Sequence, residues 1–249
     1  MSIIEVKDLR KTYRLGNEKV HALKKINLSI EKGEICCVLG TSGSGKSTLL
    51  NMLAGLEKPT KGSVVIKGTE ITKLSEKRLA RFRQENLGFV FQSYNLLNQL
   101  TALENVAMPL MFKGMAKKRR EKIAAKMLKN VSLDNRMKHK PSQMSGGQQQ
   151  RVGIARAFVT KPSVIFADEP TGNLDSHTTE DVMKLMVEMC RKHNLTLVLV
   201  THDLGISEYA DKIVHIIDGE ITSVEKNISK YDRDKMKETK GQEIDSNEK

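Results

Sequence analysis

Residues 35–39 form a short apolar, β-rich run, ICCVL, which leads straight into GTSGSGKST, so Gly40 to Thr48 fill the pattern G-x-x-x-x-G-K-[ST]. No other segment constrains the fold as tightly. The pattern works only where a strand feeds a tight turn that opens a helix, because glycines let backbone N–H groups close on phosphate oxygens and the helix N-terminus adds its positive end. Both flanks fit, with the apolar run before it and a helical pattern from Lys46 to Ala54 after it. Gly40, Ser42, Gly43, Ser44, Gly45 and Thr48 are predicted to line the phosphate site. Lys46 is predicted to reach the outer phosphates and Ser47 to bind Mg²⁺.

Two more short apolar runs, PSVIFADEP and LTLVLVTHD, end in polar residues, and Thr178 to His193 carries helical spacing with Val182, Met186, Met189 and Cys190 on one face. Strands alternating with helices predict a parallel α/β core whose ligands lie beyond the strand C-termini. Asp168 and Glu169 then sit at a strand end, Asp168 to manage a metal's hydration shell and Glu169 to polarise a water. Met183, Met186 and Met189 read as core rather than as a cofactor stripe. Ile3 to Val6, Ile26 to Ile30 and Gly62 to Ile66 alternate as half-buried strands and predict a small, partly antiparallel second sheet. Lys212 to Val224 reads as two strands around the Asp218-Gly219 turn, and residues 93–158 as an inserted helical subdomain. The folded body is expected over 1–224, with 225–249 a charged, disordered tail.

Among 249 residues no apolar run approaches the ~18 needed to cross a bilayer, so any membrane role requires a partner. Cys36, Cys37 and Cys190 cannot build a disulfide framework, and a reducing cytosol suits them. The N-terminus lacks the basic and apolar regions of a secretory signal. The net charge is +12; residues 225–249 hold seven basic and seven acidic side chains, so the excess lies upstream. Residues 113–140 alone carry eleven lysines and arginines against Glu121 and Asp134. There Ile123, Met127 and Val131 recur every four residues and should face inward, leaving the cations outside, where an anionic lipid surface is a candidate partner.

QMSGGQ at Gln143 to Gln148, then QQRVGIARA, then VIFADEPTGNLDS, together resemble the nucleotide-binding subunits of ATP-binding cassette (ABC) transporters over roughly residues 3–224. The resemblance implies a RecA-like P-loop NTPase fold that binds ATP and Mg²⁺. It also implies a head-to-tail dimer, with a second copy or a homologous cassette, in which Ser145, Gly146, Gly147 and Gln148 cap the γ-phosphate held by the other subunit's phosphate loop. By the same resemblance Gln92 contacts Mg²⁺ and water, His202 sits at the γ-phosphate, Asp175 spans the dimer and Tyr13 stacks on adenine. Met144 departs from the leucine usual before SGGQ, and Leu to Met conserves apolar volume.

YNLLNQLTALENVAMPL with TGNLDS is similar to the branch of lipoprotein-release, macrolide-export and antimicrobial-peptide-resistance ATPases. That implies a motor on the cytoplasmic face of the membrane, driving a separate permease that meets the substrate. Two other readings use the same motifs: a soluble ABC ATPase acting on nucleic acid or ribosomes, and a cell-division-type ATPase regulating a cell-wall hydrolase through a membrane partner. Nucleic acid is disfavoured because such proteins usually carry two cassettes or a long coiled coil, neither of which is present in this sequence.

Overall fold

The structure is a computed structural model that describes residues 1–16 and 18–247, without the side chains of Leu15, Glu238 and 240–247. The chain opens with two long strands, β1 (Ser2–Leu15) and β2 (Glu18–Glu31), then β3 (Ile35–Leu39), α1 (Lys46–Leu53), β4 (Lys61–Ile66) and β5 (Thr69–Glu70). Next come α2 (Glu76–Asn86), β6 (Leu87–Phe91), and the helical section α3 (Ala102–Phe112), α4 (Lys117–Asn130) and α5 (Gly146–Phe158). The remainder is β7 (Val164–Asp168), α6 (Ser176–His193), β8 (Thr196–Thr201), α7 (Leu204–Ser207), β9 (Lys212–Ile217), β10 (Glu220–Lys226) and α8 (Lys230–Asn247). Helices α3 to α5 lie within residues 93–158, and the Asp218-Gly219 turn joins β9 to β10. Helix α2 escaped the periodicity because Leu79 is its one buried residue.

Two sheets result. One is antiparallel, in the order β2-β1-β4-β5, and the other runs β10-β9-β3-β8-β7-β6, parallel except at the β10 edge. Every residue of β3 and β8 is buried, which is why these strands read as unbroken apolar runs: helices or a second sheet cover both faces. Pleating sends neighbouring side chains to opposite faces. Cys37 joins the core shared with α3, α4, α5 and α6, including Met183, Met186 and Met144, whereas Cys36 joins the core shared with α1 and the antiparallel sheet. All three thiols are free and buried, and burial pushes those of Cys36 and Cys190 up to about 12, too high for reactivity at neutral pH.

The tail departs from expectation. Instead of disorder after residue 224, β10 continues to Lys226 and α8 begins at Lys230. Ser229, fully buried, caps the helix, accepting from the Asp232 N–H at 3.2 Å and donating to the Asp232 carboxylate at 2.7 Å. Arg191 grips Asp211 through two bonds, 2.9 and 2.5 Å, and Asp232 through a third at 2.7 Å. Low apolar content hid this element, because what holds its start is a charge network between residues distant in sequence.

Candidate active site

The sheet order places four strand ends in a row at one edge: β3, β8, β7 and β6. Leu39 pairs with Thr201, Val200 with Asp168, and Asp168 with Phe91. The phosphate loop, His202, the Asp168–Glu169 pair and Gln92 each follow one of these ends, so they converge although they span residues 40 to 202. With parts of the β1–β2 and β9–β10 hairpins they line a cleft of about 1220 Å³.

The loop itself is prearranged. Gly45 caps α1 with φ +101°, and a Cβ there would stand 2.6 Å from the Ala22 carbonyl oxygen, so only glycine fits. The Lys46 ammonium, nearly buried, donates to the Thr41 carbonyl at 2.7 Å, a bond that a phosphate oxygen can replace. Ser47 donates to the Asp168 carboxylate at 3.3 Å. Ser44 is buried beneath the loop, and its carbonyl accepts from the Gly219 N–H at 3.0 Å, which fastens the β9–β10 turn to the loop.

Burial holds the Asp168 carboxyl above the usual carboxylate range, with the Glu169 charge adding to this while Ser47 and Lys46 oppose it. A carboxyl whose folded-state pKa is raised contributes stability below its unfolded pKa and loses it as pH rises through the raised value. Burial therefore works against the charged form of Asp168 as pH rises, a cost that a neutral asparagine does not carry. Asp168→Asn is expected to raise the melting temperature of the nucleotide-free chain near neutral pH by no more than ~2–4 °C, given solvent screening, with the gain vanishing in acid. Thermal melts across pH check this; a lower melting temperature at neutral pH would contradict it.

Glu169 occupies the left-handed region at φ +46°, fixed by its N–H donating to the Val200 carbonyl at 3.1 Å. Its carboxylate oxygens lie 3.0 and 2.9 Å from Nδ1 of His202. Gln92 donates to Asn173 at 3.3 Å, and Asn173 returns a bond to the Gln92 carbonyl at 3.1 Å. One carboxylate is thus oriented by an imidazole, a second faces a hydroxyl, and an amide closes the far side, all around a phosphate loop. Such a set can hold a polyphosphate and direct a water at its end.

The signature residues lie elsewhere. Ser145, Gly146, Gly147 and Gln148 open α5 in a capping box, Ser145 accepting from the Gln148 N–H at 3.3 Å, and none of them lines the cleft. Asp175 caps α6 through Thr178, whose N–H and hydroxyl donate at 2.9 and 2.7 Å and lower the carboxyl's pKa. Tyr13 lies within β1. Its hydroxyl donates to Glu57 at 2.8 Å and its ring stands 4.9 Å from the Lys11 ammonium, at the loop's margin beside Thr48.

A family sequence model for ABC transporters matches residues 23–172. The chain belongs to the ABC transporter family. It is 46% identical over 220 residues to the lipoprotein-releasing system ATP-binding protein LolD of Pseudoalteromonas translucida, covering 88% of this chain and 95% of LolD. It is 44% identical over 225 residues to the macrolide export ATP-binding/permease protein MacB of a Shewanella species, covering 90% of this chain but spanning only 35% of MacB. The dimeric structure of a post-hydrolysis state of the ATP-binding cassette MJ0796 bound to ADP and Pi superposes with a TM-score of 0.84 at 43% identity, covering 91% of this chain and 99% of that one. The expected P-loop NTPase fold is therefore present, and the chain is an ABC-type ATP hydrolase.

Several residues of this ABC cassette were not legible in advance. Asn173 holds Gln92; Gln150, fully buried, donates to the carbonyl of Pro170, next to Glu169. Arg156 on α5 donates to the Asn95 carbonyl at 2.5 Å and to that of Tyr94 at 2.8 Å, and both acceptor residues have positive φ, +47° and +58°. The Tyr94 hydroxyl in turn would stand 2.8 Å from a Cβ at Gly146, so this loop ties Gln92 to the signature glycines. QQQRVGIAR shows such residues only as an amphipathic helix, because their partners are carbonyls of other loops. Arg156→Met is expected to cost about 1 kcal/mol, chiefly through the half-buried Tyr94 carbonyl, since water can reach the exposed Asn95 carbonyl. A lowered urea midpoint at unchanged slope would show it, and an unchanged midpoint would refute it.

Proposed function

We propose that the chain is the cytoplasmic-face motor of an export- or extraction-type ABC transporter, working as a head-to-tail dimer that drives a separate integral-membrane permease. The separation of Ser145 from the chain's own nucleotide cleft carries this reading: the signature cap, exposed at the start of α5, has no phosphate to meet unless a second cassette supplies one. The LolD and MacB likenesses support the branch. A groove of about 360 Å³, lined by Phe89, Phe91, Met108, Pro109, Phe112 and Arg156, supports a membrane subunit, because it offers apolar surface from β6 and α3 beside the loop that carries Gln92. No helix among the described residues is long and apolar enough to cross a membrane.

In this reading Lys46 and the loop amides grip the ATP phosphates, and Tyr13 stacks on adenine. Glu169, oriented by His202, takes the proton of the attacking water. Ser47, Gln92 and Asp168 would hold Mg²⁺, which would neutralise phosphate charge. Oxygen donors of this kind suit that ion, and the Ser47 hydroxyl already stands at the Asp168 carboxylate. Hydrolysis reopens the dimer, and the movement passes through α3–α5 and Gln92 to the permease.

Purification of the tagged chain from detergent-solubilised membranes tests this. A co-purifying membrane protein with few spanning helices and a large external domain is expected, and Phe112→Asp should release it. Recovery with ribosomes and no membrane protein would overturn the reading.

A further inference from the structure

The turn from α3 to α4 sets a dense positive charge beside an aromatic side chain left 64% exposed, Phe112. The cations are not equivalent. Lys117 lies 3.9 Å from Glu121 and Arg120 donates to the Met115 carbonyl at 3.2 Å, so both are engaged within the fold. Lys118, Lys122, Lys126 and Lys129 are exposed, and among the described residues none has a carboxylate within ion-pair distance. At 3.6 residues per turn these four fall within about 80° of one another, directly opposite Ala124, Met127 and Leu128, which pack into the core. Helix α4 therefore turns a single cationic stripe outward, and the exposed Met111 and Phe112 end the helix that precedes it in the chain.

We propose that this stripe rests on anionic lipid headgroups, as a membrane contact separate from the permease groove that Phe112 lines. A row of unpaired cations on one helix face is the complement of an anionic lipid surface, which attracts lysines through its potential. The position agrees with the charge: Phe112 also lines the apolar groove, so a permease seated there brings α4 toward the bilayer. The proposal rests in that respect on the motor reading, yet the two fail separately, since capture of a permease needs no vesicle and vesicle binding needs only this chain.

The test is sedimentation of the purified chain with phosphatidylglycerol-containing vesicles and with pure phosphatidylcholine vesicles at low salt. Each near-surface lysine is worth roughly fivefold in affinity before screening, so replacing Lys118, Lys122, Lys126 and Lys129 by glutamine should weaken binding to the anionic vesicles at least tenfold. ATP turnover should stay unchanged, and replacing the same four by arginine should preserve binding. Equal binding of wild type and glutamine variant, or no preference for anionic over neutral vesicles, would overturn the proposal. Tight, salt-sensitive RNA binding without vesicle binding would overturn it in favour of a nucleic-acid partner.

Discussion

Glu169→Gln is expected to bind ATP normally and to turn it over about 10²–10⁴-fold more slowly. The amide is isosteric, so the left-handed turn and the bond to the Val200 carbonyl persist, while the basic oxygen facing water is lost. Lys46, Ser47 and Asp168, the predicted phosphate and metal contacts, are untouched. ATP that binds without being cleaved should hold two cassettes together, so the variant should elute as a dimer with ATP and as a monomer with ADP. Near-normal turnover would remove Glu169 from the role of base and leave His202 without a carboxylate to orient.

Mixing two inactive variants, Lys46→Ala and Ser145→Arg, is expected to restore hydrolysis where neither alone has any. A mixed dimer pairs one intact phosphate loop with one intact signature, and so rebuilds one complete site. The effect is large because each parent dimer contains no complete site, and it follows from the absence of Ser145 from its own cleft. Mixed dimers proven by dual tags yet still inactive would mean either that the signature does not act across the interface or that both sites must fire together. Repeating the experiment with a Lys46→Ala chain paired with wild type separates those cases, since one intact site suffices only in the first.

Chemistry packed into contiguous residues was readable directly. The phosphate loop and the acidic strand end each carry their meaning within ten residues, because glycine conformation, helix polarity and strand periodicity are local properties, whereas the SGGQ segment was readable through its family resemblance. The apolar runs of β3, β7 and β8 announced a parallel sheet because two buried faces leave no polar alternation. Local charge was less informative. It marked residues 113–140 as basic, but could not separate Lys117 and Arg120, which the fold occupies, from the outward row on α4.

What no local pattern contains is the order of strands. Only the sequence β3-β8-β7-β6 in space sets Gly40, His202, Glu169 and Gln92 at adjacent ends, and only that adjacency turns four ordinary strand-end residues into one cleft. The same holds for Arg191, Asp211 and Asp232: a tail poor in apolar residues reads as disordered until a distant guanidinium satisfies its first turn. Amino-acid types and their spacing specified which groups this chain brings to phosphate chemistry. Long-range hydrogen bonding between strands, whose partners lie tens to more than a hundred residues apart, decided where those groups meet and that Ser145 meets none of them within one chain.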